Sequence, residues 1–224
     1  MYWQEEDDRT APTVPDDVVD LVFAIACKTL PLDHAYSLSQ AVQEILPWLA
    51  EEEGAGVHAI HVAESGNGWI RPNEANALLH PSRRTKLRVR VPKHRIEQGK
   101  RLTGNTLDLD GHSVIIKEAT VKSLSDHPVV FSRYIVTEGF DNETEVLEEM
   151  VKQLKAMGIK PKKMLCGTET IITTPDKEIK TRSLMLADLS VEESVTLQMK
   201  GLGSHRWLGC GLFIPHKDIK EVKE

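Results

Sequence analysis

Apolar residues recur along this chain with two different periods, and the switches between them lay out its elements. Val18 to Cys27 reads VVDLVFAIAC, the near-continuous apolar run of a buried strand, and Pro31-Leu32-Asp33 breaks it. From about His34 to Leu49 the apolar positions take helical spacing, Leu38, Val42, Ile45 and Leu49, with Asp33 as the expected N-cap. Gly54 and Gly56 close that region, and Val57 to Ala63 returns to a strand. Thr85 to Val91 alternates: Leu87, Val89 and Val91 on one face, Lys86, Arg88 and Arg90 on the other, a half-buried strand. Pro92 suits the first position of a short helix over His94 to Leu102, and residues 106–119 suit a hairpin turned at Asp110-Gly111.

The order then repeats. Val129 to Thr137 is a predicted strand. Glu143 to Met157 is an amphipathic helix through Val146, Leu147, Met150, Val151 and Leu154, stopped by Gly158. Strands follow at Lys163 to Leu165, Thr168 to Thr174 and Ile179 to Leu186. Ser190, with Glu193 three residues on, reads as a capping box for a helix reaching Lys200. Leu212-Phe213-Ile214 falls in the last strand. Both halves thus read β-α-β-β-α-β. The expected fold class is α+β: two tandem ferredoxin-like units over 18–124 and 125–224, behind an acidic arm at 1–17, with a glycine-rich loop near the C-terminus.

Composition changes this picture in two ways. Cys27, Cys166 and Cys210 are odd in number, far apart and in no CxxC pair, so a reducing, cytoplasmic setting is expected and no disulfide framework. No apolar run approaches the length of a membrane span, and the acidic start lacks a signal-peptide core. The net charge of −6 first argues against a nucleic-acid partner, but it resides in residues 1–20, where seven acids face Arg9 alone. The rest of the chain is neutral as a set and locally basic. Between His80 and Arg101, Arg83, Arg84, Lys86, Arg88, Arg90, Lys93, Arg95, Lys100 and Arg101 are opposed only by Glu97. A run so one-sided suits a phosphate-binding surface, whose affinity comes largely from counterion release, although a charged strand edge that resists aggregation has the same composition. Lys160, Lys162 and Lys163 form a smaller cluster.

Gly201, Gly203, Gly209 and Gly211 flank His205 and Arg206. Glycines at this density allow positive φ and a concavity of backbone N–H groups that binds anions; a helix C-cap followed by a turn also fits. The segment is neither a Rossmann fingerprint, because Arg206 stands where the third glycine would fall, nor a P-loop. His58 and His61 are spaced so that a strand would point them to opposite faces, a poor chelate, and no metal or cofactor motif is present. Ser65, Asn67, Trp69 and Arg71 could contact an unpaired base or form a plain turn, and Arg182 and Ser183 could line a groove between the halves. A two-histidine phosphodiesterase would need a second H-x-[ST] motif beyond His80-Pro81-Ser82, and none is present.

The spacing Gly-x-Gly-x(5)-Gly-x-Gly before a last strand resembles the C-terminal loop of the repeat-associated RAMP superfamily of CRISPR proteins. Leu30 to Leu38, Ile60 to Gly68 and Ser82 to Arg90 resemble one branch of it, the endoribonucleases that mature guide-RNA precursors, and among them the Myxococcus-type variant. That resemblance implies binding of a CRISPR repeat stem-loop and a metal-independent cut leaving a 2′,3′-cyclic phosphate and a 5′-hydroxyl. It implies His34 as general base or acid, Tyr36 as its positioning partner and Arg83 or Arg84 as charge stabiliser. RNA contact is expected from Arg83, Arg84, Lys86, Arg88, Arg90, Lys162, Lys163, Arg182, His205, Arg206 and the four loop glycines. Ser39 stands where some branches carry a histidine, so proton transfer falls to His34, His58 or His61, or is slow. The alternative is a non-catalytic subunit that holds the guide hairpin within a larger effector complex.

Overall fold

The computed structural model describes residues 17–62, 77–140 and 142–216. The acidic arm to residue 16 and the loop bearing Ser65, Asn67, Trp69 and Arg71 lie outside them. In chain order the first half holds β1 (Val18–Ala26), β2 (Leu30–Pro31), α1 (Ala35–Ile45), β3 (Gly56–His58), β4 (Leu78–Leu79), β5 (Lys86–Pro92), α2 (Ile96–Gly99), β6 (Thr106–Leu109) and β7 (His112–Ser123). The second holds β8 (Val130–Val136), α3 (Glu143–Ala156), β9 (Lys163–Thr173), β10 (Glu178–Ala187), α4 (Val191–Lys200) and β11 (Ile214–Pro215).

The apolar run of β1 sits mid-sheet, in the order β3-β5-β1-β7-β6, with antiparallel pairing throughout. The second sheet runs β11-β8-β10-β9, again antiparallel. If β6 is set aside, each half places its fourth strand beside its first, then its third, then its second. Leu21, Phe23, Leu87 and Val89 pack with Leu38 and Val42 of α1 in the first core, while Leu184, Leu186 and Phe213 pack with Met150, Leu154 and Leu197 in the second.

Local departures from the sequence reading have identifiable causes. The second helix of the first half is a single α-turn between two 3₁₀ turns. Gly99 lies so close to β1 that a Cβ there would stand 2.4 Å from Leu21 Cδ1, and its backbone entropy weakens the helix. The strand expected over 57–63 pairs only through His58, and the two strands expected over 163–174 form one. Asp33 does not cap α1: its Oδ2 accepts from the Thr173 N–H at 2.9 Å, joining the two halves, and His34 occupies the cap position. The Ser190–Glu193 capping box on α4 forms as expected. Among the described residues no helix is long and apolar enough to cross a membrane.

Candidate functional site

The strongest concentration of candidate groups lies where the two sheets approach each other. A pocket of about 320 Å³ is lined from the first half by His58, His61, Ser82, Arg84, Lys86 and Arg88, and from the second by Phe131, Arg133, Tyr134, Gly209 and Ile214. β5 carries its cations to this wall because its alternation puts Leu87, Val89 and Val91 into the core. Lys86 and Arg84 are exposed, and Arg88 is about one-third exposed, with Nη1 2.9 Å from Asp20 Oδ2. On β8, Phe131 and Arg133 alternate outward, and the Arg133 guanidinium lies 5.8 Å from the Phe131 ring. Desolvation lowers the Arg133 pKa, against the opposing influence of Tyr134.

Both histidines line this one pocket, not opposite faces, because the chain leaves the strand after His58 and the spacing argument for a regular strand lapses. His61 stands at the rim. Desolvation on its inner side and the charge of Arg133 push its imidazole down to about 4, so it is neutral at pH 7 and can accept a proton. A bound phosphate would offset Arg133 and raise that basicity. His58 is half-buried with its Nε2 turned inward, and desolvation followed by the charge of Arg90 holds its imidazole well below the ordinary value, against the pull of Asp20. Among the described residues no group of three or more histidine, cysteine or acidic side chains could hold a metal ion.

Several expected site residues are engaged in contacts within the protein. His34 is 4% exposed, with Nδ1 donating to Pro31 O at 2.8 Å and Nε2 accepting from the Ile60 N–H at 2.9 Å. These partners fix one neutral tautomer and leave neither nitrogen turned toward an open surface. Ser39 is fully buried, donating to Trp207 O at 2.6 Å and accepting from Gln43 Nε2 at 2.8 Å, so it fastens α1 to the glycine-rich segment. Tyr36 lies half-buried against Ile172, Ile179 and Leu208, beside a separate cleft shared with Asp108 and Asp110. Arg90, expected on an exposed face, is 0% exposed. It grips both oxygens of Asp20, at 2.9 and 3.1 Å, and donates to Gln198 O at 2.7 Å. Its end of that face of β5 is covered by α4 of the second half, which one strand's alternation does not reveal.

The glycine-rich segment is likewise engaged from within. The N–H groups of Gly201, Leu202, Gly203, Leu208, Gly209, Cys210 and Gly211 all donate to protein acceptors, so the four glycines' own N–H groups are already engaged within the protein. Arg206 donates to Gly54 O and Ala55 O of the first half and to Met199 O and Lys200 O at the end of α4. It caps a helix and joins the halves. A Cβ at Gly209, at φ 93°, would come within 3.1 Å of Val57 O, which is why the segment can lie flat on β3. Gly203 and Ser204 are exposed, and His205, at φ 63°, lies beside Ser204 and Trp207. Lys163 pairs with Asp188, and Arg182 lies near Gly167 O and Glu143. Neither these two nor Arg83 and Lys162, both exposed, line the inter-half pocket.

A family model described as Cas6 Crispr matches residues 19–218. The chain belongs to the Cas6 family. A protein named CRISPR-associated endonuclease Cas6, from Myxococcus xanthus (strain DK1622), is 28% identical over 197 residues, spanning 88% of this chain and 81% of its own. A solved structure described as that of a Cas6-related gene from Pyrococcus furiosus superposes with a TM-score of 0.60 at 16% identity, covering 91% of this chain and 99% of that one. One titled as CRISPR endoribonuclease Cse3 bound to 19 nt RNA superposes at 0.52 and 11% identity, covering 89% and 98%. These solved structures share the mixed α+β fold. Within this Cas6-family chain, Arg133 and Phe131 were not singled out from sequence; the only signal was their outward alternation on a predicted strand.

Proposed function

We propose that this protein is an endoribonuclease that binds CRISPR repeat stem-loops and cuts precursor RNA into guide RNAs in the cytoplasm. The two β-α-β-β-α-β units, 18–124 and 125–224, are read as tandem ferredoxin-like domains with the substrate at their junction. The carrying observation is a neutral histidine, His61, set beside the Arg133 cation in a pocket also walled by Arg84, Lys86 and Arg88. In this reading the ribose 2′-hydroxyl attacks its own phosphorus and its proton passes to His61. The guanidinium groups hold the charge of the phosphorane, and the 5′-oxygen leaves as a hydroxyl after taking a proton from solvent. The products are a 2′,3′-cyclic phosphate and a 5′-hydroxyl, with no metal required. His34, Tyr36 and Ser39 then support the fold around the site rather than exchange protons.

The test is single-turnover cleavage of a repeat RNA in EDTA, with the 3′ ends of the product identified by mass spectrometry. Cyclic phosphate ends and a loss of about 100-fold or more in His61→Ala are expected. Chelator-sensitive cleavage overturns the metal-free mechanism, and full activity in His61→Ala overturns its residue assignment. The enclosed His34, with both ring nitrogens occupied, favours one second reading: a non-catalytic subunit that holds the guide hairpin in an effector complex. Tight binding without any cut would select it.

A further inference from the structure

Asp20 lies near the start of β1 behind the pocket wall, and three side chains converge on it. Arg90 holds both its oxygens from within the core. Arg88 Nη1 holds Oδ2 while lining the pocket. His58 Nε2 stands 4.0 Å from Oδ1, buried and without a hydrogen-bond partner. A buried nitrogen without a partner is rare and calls for an explanation. Neither the fold nor the proposed cleavage step provides one, since Asp20 is already satisfied by two guanidinium groups.

We propose that His58 and Asp20 form a proton-coupled positioning pair for Arg88: when an RNA phosphate enters the pocket, Arg88 turns from Asp20 to the phosphate and His58 takes a proton from solvent and replaces it on Asp20. This inference rests on the proposed function, because it needs a phosphodiester at this pocket. The charges balance. Before binding, Asp20 is shared by Arg88 and Arg90, and His58 is neutral. Afterwards Asp20 faces the His58 imidazolium, Arg88 faces the phosphate, and one proton has been taken up. Arg90 stays on Asp20 throughout. The other charged or titratable groups around this site are Arg206 of the glycine-rich segment, Arg84 and Lys86 before and at the start of β5, His61, Arg133 and Tyr134 on β8, and Lys122, which stands opposite Asp20 on β7. In the free chain, desolvation and then the charges of Arg90, Arg88 and Arg206 oppose a charge on His58, and a bound anion offsets the charge part of that opposition. Arg88 thus becomes available to substrate while Asp20 keeps Arg90 and gains a second cation in the place Arg88 left.

The sign follows from linkage. Binding raises the affinity of His58 for a proton, so RNA binding tightens as pH falls, by at most about tenfold per pH unit for one proton. The experiment uses the full chain and a repeat RNA lacking the 2′-hydroxyl at the cut site, with Kd measured from pH 5.5 to 8.5 at fixed salt. Wild type is expected to tighten at the acidic end, and His58→Gln to match it at pH 8.5 but lose that tightening. Histidine-selective NMR gives a second readout free of any folding defect in the variant: His58 neutral in the free chain and protonated in the complex at pH 6. A His58→Gln curve that tracks wild type, or a neutral His58 in the complex, overturns the coupling while leaving the RNA site intact. Failure to bind repeat RNA at any pH overturns the proposed function and the coupling together.

Discussion

Arg90 Nη1 donates to the main-chain carbonyl of Gln198 at 2.7 Å, tying β5 of the first sheet to the last turn of α4 in the second half. The same guanidinium neutralises Asp20 with both partners withdrawn from solvent. Breaking such a pair strands a charge in the core, which costs about 3–5 kcal/mol. Arg90→Met is therefore expected to lower the unfolding free energy by that amount in urea denaturation. A loss under about 1 kcal/mol, within the range of exposed ion pairs, would contradict this placement.

Asp20 also sets an acid limit. Burial alone would raise its carboxyl, but the charge and hydrogen bonds of Arg90, with His58 and Arg88 beyond, hold it well below the carboxylate range. A depressed folded-state value stabilises the protein above the unfolded value of about 3.9 and loses that contribution as pH falls toward the folded one. The wild-type unfolding free energy is thus expected to fall between about pH 4 and 2 with a component absent from Asp20→Asn. Denaturant titrations at fixed pH measure it, and parallel acid slopes for the two proteins would refute it.

His34 and His61 should separate cleanly in paired assays. His34→Ala leaves the Ile60 N–H and Pro31 carbonyl without the ring, at a cost of about 1–3 kcal/mol. Cleavage by this variant is expected to recover where the folded fraction is restored, for instance at lower temperature. His61→Ala, at the exposed rim, should alter stability by no more than about 0.5 kcal/mol while removing cleavage. The reverse pattern would return the proton-transfer role to His34.

Much of this architecture was legible from the chain because the information is local. The run of β1, the alternation of β5, the Asp110-Gly111 turn and the Ser190–Glu193 box each depend on residues within one element or its flanks. What could not be read is what covers each face. Arg88 and Arg90 look identical in the alternation, yet Arg88 reaches the pocket and Arg90 is sealed beneath α4, a difference decided over 100 residues away. The glycines read correctly as conformational specialists. One of them, Gly209, lets the segment lie against Val57 and Ala59, a packing role that its spacing alone does not reveal. Arg133 is not marked out in the sequence, because a single cation in a predicted strand carries no periodic signal.

Salt dependence distinguishes pocket cations from the rest. Each lysine or arginine that neutralises a single-strand phosphate contributes about 0.7 to the slope of log Kobs against log salt, independent of RNA sequence. Arg84 and Lys86 line the pocket and are exposed, so they reach a phosphate without leaving a buried partner. Lys163 is exposed too, but it lies outside the pocket and pairs with Asp188. Arg84→Ala and Lys86→Ala should each weaken binding of a non-cleavable repeat RNA and flatten the slope by about 0.7, with the double variant near the sum. Lys163→Ala should leave the slope unchanged. Binding measured from about 50 to 200 mM salt covers the range in which the effect is largest. Equal flattening by all three variants would mean that the RNA spreads over the whole basic surface instead of entering the junction between the halves.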